Sequence, residues 1–281
     1  MPVVTINAAA GATSFDLVQD LYAWAQGLGT ATSNGTLVSA PLGSGYAYEQ
    51  WAGGVAGGNG AIFEGQFSYG IGGAFTGNVE SLSFGSGLSG SSSTGFGFAN
   101  DGINIDLGGG VPEASFRGAI YSLTHNVNQT SNPGLNFTGV VAGSGTQQAG
   151  LFDFFGDSGT VQNGTAGNDA LYSFDGNDVL TGGAGFDRFV FDRDIDGALS
   201  ASIGNDTITD FSAGVDVLDF AGFESTAFDS FAEIYAASSQ NGADTLINFG
   251  SLGTITLQGT ELASLTADDF YFGSAALAVA A

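Results

Sequence analysis

The stretch GTAGNDALYSFDGNDVLTGGAGFDRFV, residues 164–190, repeats every nine residues and decides the fold of the C-terminal half. When it is divided into nonapeptides, the same residue types return at three positions of each repeat. The coinciding glycines are Gly167, Gly176 and Gly185, the aspartates are Asp169, Asp178 and Asp187, and the apolar residues are Leu171, Leu180 and Phe189. A period this short predicts a solenoid in which each repeat contributes one turn and one short strand.

The turns of these repeats have the composition of calcium-binding turns. Glycine adopts the left-handed backbone conformations of tight turns and leaves carbonyl oxygens accessible, while aspartate adds the hard anionic oxygens that Ca²⁺ prefers. The candidate metal ligands in these turns, by carboxylate or backbone carbonyl, are Gly164, Ala166, Gly167, Asp169, Gly176, Asp178, Gly185 and Asp187. The alternative is that the three copies are ordinary Asp-Gly β-turns without a metal.

Two nonapeptides form one coil of such a roll, so each turn stacks on the turn two repeats further along. Asp169 and Asp187 are therefore expected to share one calcium ion. Asp178 needs a partner beyond the repeats, and the segment SIGNDTITDF offers Asp206 and Asp210 as candidate ligands.

The remainder of the C-terminal half continues to alternate strands and turns. The region 160–281 resembles the RTX family of proteins, which leave the cell by type I secretion. Its ending, DDFYFGSAALAVAA at 268–281, is similar to the uncleaved C-terminal signal that this family presents to an ABC-type exporter. The resemblance implies an extracellular or cell-surface protein that is exported unfolded and folds on meeting calcium, because metal binding then supplies folding free energy.

Charge and cysteine content exclude several classes of function. The chain has 28 acidic residues but only three arginines and no lysine, which gives a formal net charge of −25. It therefore has little with which to neutralise nucleic-acid phosphates, and anionic membranes are unsuitable partners. Cysteine is absent, which excludes disulfides and thiolate metal sites. The start MPVVTINAAAGATSFD lacks the segments of a cleaved leader, so we expect export without one.

The surface is predicted to be weakly charged. Only 11% of the residues are charged, compared with about 25% in ordinary soluble proteins. Such a surface suits lateral contact with copies of the same chain, although an ordinary secreted protein can also have one. The N-terminal run MPVVTIN alternates like a strand and is a candidate for pairing with a neighbouring subunit.

The N-terminal half is predicted to be α+β, a curved antiparallel sheet with few helices. SFDLVQDLYAWAQGLG, 14–29, reads as an amphipathic helix capped by Ser14. Strand-like runs follow in YAYEQW, AIFEGQFSYGI, VESLSF and INIDL, and SFRGAIYSLTHNV is a candidate returning helix. The expected domains are this α+β domain at 1–150, a linker at 151–163 and an all-β parallel β-roll at 164–281.

This order of elements, with the phrases VESLSFGSGLSG and FSYGI, resembles the small secreted haemophores of bacterial haem acquisition over roughly residues 1–140. In that family two loops hold haem, one through a histidine and the other through a tyrosine that is hydrogen-bonded to a second histidine. The resemblance implies haem as a possible cofactor and an outer-membrane receptor as a possible partner, and it assigns the tyrosine's role to Tyr69. The first loop here has Thr32 or Ser33 at the histidine's place, and His125 matches neither histidine.

Tyr69 also has a purely structural interpretation. Strand alternation in AIFEGQFSYGI, 61–71, places Tyr69 on the same face as Phe63, Gly65 and Phe67. A tyrosine in that row is an ordinary core or cross-strand aromatic. The two interpretations make different demands on the same side chain.

No enzyme signature is present in the sequence. GSGLSG at 85–90 satisfies G-x-G-x-x-G after a strand, but SSSTGFGF follows it instead of a helix. The main hypothesis is therefore a calcium-folded, self-assembling subunit of a surface layer, filament or biofilm matrix. The alternative is a haemophore in which Tyr69 is the sole protein ligand of the iron.

Overall fold

A computed structural model describes most of the chain. The described residues are 4–28, 35–69, 75–112, 140–141, 147–148, 151–191, 202–221 and 227–273. The chain divides into two compact units. The N-terminal unit consists of Met1–Gly11 and Val18–Phe154, and the C-terminal unit consists of Ala12–Leu17 and Phe155–Ala281.

The N-terminal unit is built on an antiparallel sheet. Its strands, with two short hairpins, are β1 (Val4–Asn7), β2 (Thr36–Ser39), β3 (Tyr48–Gly54), β4 (Asn59–Tyr69), β5 (Phe75–Ser86), β6 (Ser89–Ser91), β7 (Gly95–Gly97), β8 (Asn100–Pro112), β9 (Val140–Val141) and β10 (Gln147–Gln148). The order in the main sheet is β1-β8-β5-β4-β3-β2. Register shifts in four of its strand pairs bend the strands. The predicted α+β class with a curved antiparallel sheet is confirmed.

The first strand is used within the chain. Strand β1, which the sequence offered for pairing with a neighbouring subunit, pairs antiparallel with β8, with Thr5 opposite Asp106 and Asn7 opposite Asn104. Val4 and Ile6 of β1 are fully buried. Strand β1 is therefore part of the core of its own unit.

Helix α1 spans Leu17–Gln26 and begins later than the predicted start at Ser14. The residues before it are extended, and Asp16 forms a parallel bridge with Ala170, so Ser14 is not its cap. The predicted apolar stripe is confirmed, because its four members are buried. They are Leu17, Leu21, Trp24 and Leu28.

Aromatic side chains fill much of the core of the N-terminal unit. Phe63 and Phe67 of β4 are 1% and 0% exposed, whereas Glu64 and Gln66 beside them face solvent. The ring of Trp51 stacks on that of Phe63, with centroids 4.6 Å apart. These contacts confirm the alternation predicted for this strand.

Residues 151–163, the expected linker, form regular structure. They contain helix α2 (Leu151–Ser158) and strand β11 (Thr160–Asn163). Leu151 and Phe155 of the helix are fully buried. The apolar spacing within LFDFFGDS explains the helix, because it gives this short segment a buried side.

The C-terminal unit is a roll of two sheets. Its further strands are β12 (Ala170–Ser173), β13 (Val179–Thr181), β14 (Arg188–Phe191), β15 (Gly204–Ile208), β16 (Val217–Asp219), β17 (Ser238–Asn241), β18 (Asp244–Asn248), β19 (Gly253–Leu257) and β20 (Phe270–Tyr271). One sheet has the order β12-β14-β16-β20 and is parallel throughout. The other has β11, β13, β15 and β19 in parallel, followed by β18 and β17 in antiparallel pairing. The predicted parallel β-roll is confirmed.

Apolar residues of successive coils meet inside the roll. Leu171 lies in register with Phe189, which lies in register with Leu218. The aligned residues of the other sheet are Leu180, Ile208 and Leu257. All six are 0% exposed. The apolar slot two positions after each aspartate is thus the inward-facing position.

One helix, α3 (Phe231–Ala236), and three short 3-10 helices complete the described part of the C-terminal unit. None of the helices that the structure describes is both long and apolar enough to cross a membrane. The predicted helix at 115–127 and the last residues of the terminal signal, 274–281, lie outside the described residues.

Candidate metal centre

Aspartates of successive coils stack at both edges of the roll. The first aspartate column consists of Asp169, Asp187 and Asp216, and the second aspartate column consists of Asp178 and Asp206. Each of the five is between 1% and 4% exposed. Because each column occupies one turn position coil after coil, its carboxylates are brought together by the register of the strands.

Backbone-to-carboxylate hydrogen bonds connect the first aspartate column. The N–H of Asp169 donates to Oδ1 of Asp187 at 3.0 Å, across 18 residues of sequence. The N–H of Asp187 donates in turn to Oδ1 of Asp216 at 3.0 Å, across 29 residues. The structure therefore brings together Asp169 and Asp187, as the repeat period predicted.

The turn that precedes Asp169 closes around its carboxylate. The Thr165 N–H donates to Oδ2 at 2.5 Å, and the Thr165 hydroxyl lies 3.0 Å from both carboxylate oxygens. A Cβ at Gly164 would lie 2.7 Å from the same Oδ2. Gly164 thus leaves space for the carboxylate, while Ala166 lies exposed in the same turn.

The second aspartate column is shorter. The N–H of Asp178 donates to Oδ1 of Asp206 at 2.9 Å, so the structure places Asp206 where the sequence required a partner. Asp178 itself accepts from the N–H and the hydroxyl of Thr160, at 2.6 and 2.7 Å. In the coil beyond, Ile255 lies in register with Asp206. Threonine and isoleucine therefore limit this column to a single pair of aspartates.

Glycine lets the backbones of stacked turns touch. A Cβ at Gly204 would lie directly against the carbonyl oxygen of Gly176, and a Cβ at Gly185 would lie directly against that of Gly167. The backbone of Gly204 is also left-handed, with φ of +78°, where other residues are strained. Gly167, Gly176 and Gly185, which the sequence offered as metal ligands, therefore lie where backbones of neighbouring turns approach closely.

Asp210 occupies a different place from the one predicted. It does not stack on Asp178; its Oδ1 accepts from the N–H of Gly182 at 2.9 Å and its Oδ2 from that of Gly183 at 2.8 Å. The loop that follows β15 carries it to the turn of the third repeat. Asp210 therefore caps a turn beside the first aspartate column.

Sequence reasoning missed Asp216, the third member of the first aspartate column. Its signal is the pentapeptide GVDVL at 214–218, which has the glycine, aspartate and apolar spacing of the repeats. The irregular distance from the preceding repeats hides it. A buried Asp269 lies beyond it and accepts from the N–H of Gly214 at 2.5 Å, so carboxylates follow one another to the end of this edge.

The environment of the columns disfavours ionised carboxylates. Burial raises the pKa of Asp178 and of Asp187 to about 6, and it also raises the pKa of Asp206 and Asp216. Neighbouring carboxylates add to the effect in each case. Burial and the neighbouring carboxylates therefore both oppose ionisation of the two columns.

These donors fit a hard divalent cation. The described part of the chain has one basic side chain, Arg188, whose Nε lies 3.5 Å from Oδ2 of Asp219. Buried charges need a partner or a metal, and paired carboxylates with backbone carbonyls are the oxygen donors that Ca²⁺ takes. Among the described residues no three carboxylate or imidazole side chains form a metal cluster. A stacked pair of aspartates in either column is therefore the carboxylate set available to a cation.

Tyr69 is the last residue of β4 and lies opposite Phe75, the first residue of β5. The loop that joins the two strands, 70–74, and the side chain of Tyr69 lie outside the described residues, as do Thr32, Ser33 and His125. The backbone therefore places Tyr69 at the mouth of a hairpin loop. Its assignment as a core residue or as a haem ligand stays a prediction.

A family model for the RTX calcium-binding nonapeptide repeat, four copies in length, matches residues 163–189. The C-terminal half contains RTX calcium-binding repeats. The RTX match covers the first two members of the first aspartate column and Asp178 of the second. Such repeats indicate a secreted, extracellular calcium-binding protein.

Similar solved structures are remote. An apo structure of the hemophore HasA from Yersinia pestis is 20% identical over 37% of this chain, with a TM-score of 0.30, and the chain spans 64% of that HasA chain. A holo structure of the same hemophore gives 20% identity over 37% of this chain and 65% of that chain, with a TM-score of 0.30.

A subunit of a polysaccharide-modifying enzyme is also among the similar solved structures. The AlgE6R3 subunit of the Azotobacter vinelandii mannuronan C5-epimerase is 25% identical over 44% of this chain and 82% of that chain, with a TM-score of 0.23. No curated protein matches the chain.

Proposed function

We propose that the chain leaves the cell by type I secretion and that its C-terminal roll is folded outside by calcium bound in the two aspartate columns. The observation that supports this most is the burial of five stacked carboxylates, each at most 4% exposed. Such a stack is unfavourable without a cation, because desolvation and mutual repulsion both oppose ionisation.

Calcium would supply the positive charge that compensates the carboxylates of the two columns. The protein orients the carboxylates: backbone N–H groups hold Asp187 and Asp216 along the first aspartate column. Thr160 and Ser173 orient the carboxylates of the second column, with hydroxyl contacts of 2.7 and 2.8 Å. Because binding and folding are one equilibrium, the roll stays unfolded where calcium is scarce and folds where it is abundant.

A calcium titration tests this step. The chain is stripped with EDTA and then titrated with CaCl₂, or with MgCl₂ as a control, while far-UV circular dichroism reports strand formation. We expect a cooperative gain of strand signal with calcium and a much weaker response to magnesium, which demands a tighter octahedral site. An unchanged spectrum from EDTA to millimolar calcium would contradict calcium-driven folding.

We further propose that the folded protein assembles with copies of itself in a surface layer, filament or matrix. An uncharged polar surface on β13, β15 and β19 supports this. The Thr181 and Thr209 hydroxyls are 2.7 Å apart, and the Thr254 hydroxyl donates to Oδ1 of Asn205 at 3.0 Å. Side chains that satisfy one another in this way leave a surface that can approach a second copy at little electrostatic cost, although the chain as a whole is strongly acidic.

The edge strand β17 supports the same proposal. It is the last strand of its described sheet and reads SSQN, without a charged residue. Edge strands in monomeric proteins commonly contain charges that prevent pairing with another chain. An uncharged edge is therefore available for antiparallel pairing with the β17 strand of a second copy.

Assembly is tested by placing a charge on that edge. Ser239 is exposed in β17, and Ser92 is equally exposed in the turn between β6 and β7, so Ser239→Lys has a matched control in Ser92→Lys. We expect the unmodified chain and Ser92→Lys to form calcium-dependent assemblies by light scattering and electron microscopy, and Ser239→Lys to form fewer. A strictly monomeric unmodified chain at high protein and calcium concentrations would contradict assembly.

Haem capture is the alternative function. The observation in its favour is the position of Tyr69 at the end of β4, directly before the loop that starts at residue 70, because the resemblance to haemophores requires a loop-borne tyrosine. Haemin titration of the calcium-bound chain, with Tyr69→Phe as control, tests it. A Soret shift that the substitution abolishes would support haem ligation, and the absence of any shift would exclude it.

A further inference from the structure

The segment TSFDL, residues 13–17, packs on the roll in the manner of a repeat. Asp16 forms a parallel bridge with Ala170, which aligns Phe15 with Asp169 and Leu17 with Leu171. The Ala170 N–H donates to the Phe15 carbonyl at 2.7 Å. The Phe15 N–H donates to Oδ1 of Asp169 at 2.5 Å, across 154 residues of sequence.

The same two hydrogen bonds recur between the later coils. The N–H after each aspartate donates to the aspartate carbonyl of the preceding coil, as Arg188 does to Asp169 at 2.8 Å and Val217 does to Asp187 at 2.9 Å. The aspartate N–H donates to the aspartate carboxylate of the next coil, as Asp169 does to Asp187 at 3.0 Å. Phe15 therefore makes both bonds of an aspartate position with its backbone.

The turn and the inward-facing side chain also match. A Cβ at Gly167 would lie directly against the carbonyl oxygen of Thr13, as a Cβ at Gly185 would lie against that of Gly167. Leu17, like Leu171, is 0% exposed. Five consecutive residues thus follow the register GNDAL of 167–171, although only the leucine is identical in type.

We propose that residues 13–17 are the terminal coil of the first aspartate column and act as a metal-free cap for it. The cap has Phe15, 2% exposed, where the next coils have Asp169 and Asp187, so it contributes no carboxylate. Its backbone still holds Asp169 in place, and its apolar ring covers the end of the column. The inference rests on the proposal that calcium folds the roll.

A side-chain contact fastens the cap to strand β12. The Tyr172 hydroxyl donates to Oδ1 of Asp16 at 2.8 Å, and burial raises the pKa of Tyr172, so the phenol remains a donor. This bond joins residues 156 positions apart. The cap and the strand that it covers are therefore connected by both main-chain and side-chain bonds.

The cap predicts that a change near the N-terminus alters calcium-driven folding of the C-terminal half. Phe15→Pro removes the N–H that binds Asp169, and Phe15→Ala keeps the N–H but removes the ring. Phe96→Ala, which removes a partly buried phenylalanine of the N-terminal unit, is the control. In the full-length chain we expect the calcium concentration for half-folding to rise about threefold or more for Phe15→Ala, further for Phe15→Pro, and not for Phe96→Ala.

Hydrogen exchange of the calcium-bound chain locates the effect. With Phe15→Ala, amides of 164–174 should exchange at least several-fold faster, whereas those of 244–258, in the distant coil, should be unchanged. Tyr172→Phe, a milder variant that keeps the ring, should reproduce the local increase in smaller measure. Equal calcium midpoints and equal exchange in all variants would overturn the cap, and a failure of calcium to fold even the unmodified chain would instead contradict the proposed function.

Discussion

The N–H of Asp178 donates a 2.9 Å hydrogen bond to Oδ1 of Asp206, although 28 positions separate the two residues. This pair is the whole of the second aspartate column, because Thr160 and Ile255 occupy the adjoining coils. The first aspartate column has three members. The two edges of the roll therefore differ in how much they depend on a single aspartate.

Asp206→Asn should remove calcium binding from the second aspartate column. Asparagine keeps an oxygen that can accept from the Asp178 N–H, so the variant loses charge and little packing. Because ligand charge sets calcium affinity, we expect one ion fewer by isothermal titration and about a tenfold rise in the calcium concentration for half-folding, equivalent to ~1.4 kcal/mol. Glu261→Gln, at an exposed carboxylate of the same unit, is the control. An unchanged ion count would place the calcium elsewhere.

Calcium removal should melt the roll selectively. Both tryptophans of the chain, Trp24 and Trp51, lie in the N-terminal unit, and both are buried. With EDTA we expect rapid amide exchange across 164–190 while tryptophan emission stays close to that of the calcium-bound chain. Back-addition of calcium is the control for reversibility. If tryptophan emission shifted toward that of solvent-exposed tryptophan at the same calcium midpoint, calcium would be required for the folding of both units.

The calcium-free protein should lose stability as pH rises. Burial raises the pKa of Asp178 and Asp187 to about 6, above about 3.9 in an unfolded chain. The stability that these groups contribute is complete below the unfolded value and is lost as pH rises through about 6. In EDTA the roll should therefore retain more strand signal at about pH 5 than at about pH 7.5.

With saturating calcium the roll should instead be more stable at about pH 7.5 than at about pH 5, because the ion binds the deprotonated carboxylates. Far-UV circular dichroism in EDTA, and urea unfolding in calcium, measure the two cases at both pH values. A strand signal in EDTA that rises with pH would mean that the carboxylates of the two columns are stabilised as anions without a metal.

Gly204→Ala should damage the roll more than Gly214→Ala. Both backbones are left-handed, with φ of +78° and +81°, so each alanine carries a strain of about 1–2 kcal/mol. A Cβ at Gly204 also meets the carbonyl of Gly176, whereas nothing lies within 4 Å of one at Gly214. We expect a markedly larger loss in the free energy of unfolding for Gly204→Ala in calcium. Equal losses in the free energy of unfolding would mean that neighbouring coils can move apart to accommodate the added Cβ at Gly204.

The regular part of the roll was predictable from sequence because its period is constant. Nine-residue spacing aligned Asp169 with Asp187 and assigned the inward position to Leu171, and both features are in the structure. Asp216 escaped because the step from Asp187 is 29 residues instead of 18. A longer connection changes the sequence period but not the stacking of the coils.

The cap and the start of α1 could not be predicted by local pattern. Ser14 and Asp16 have helix-start chemistry, yet pairing with a strand 154 residues away keeps this segment extended. Phe15 stands where each repeat has its aspartate, so no sequence motif shows that this segment aligns with the repeats. Tertiary hydrogen bonds decide this segment, and they involve partners that a sequence window does not contain.

The chain passes from one unit to the other three times, at residues 11–12, 17–18 and 154–155. The units are therefore interleaved along the gene rather than joined end to end. A recombination event that exchanged everything after residue 154 would leave the cap behind, and one that exchanged the first 150 residues would carry it away. A single crossover at either point would therefore separate the cap from the aspartate column that it covers.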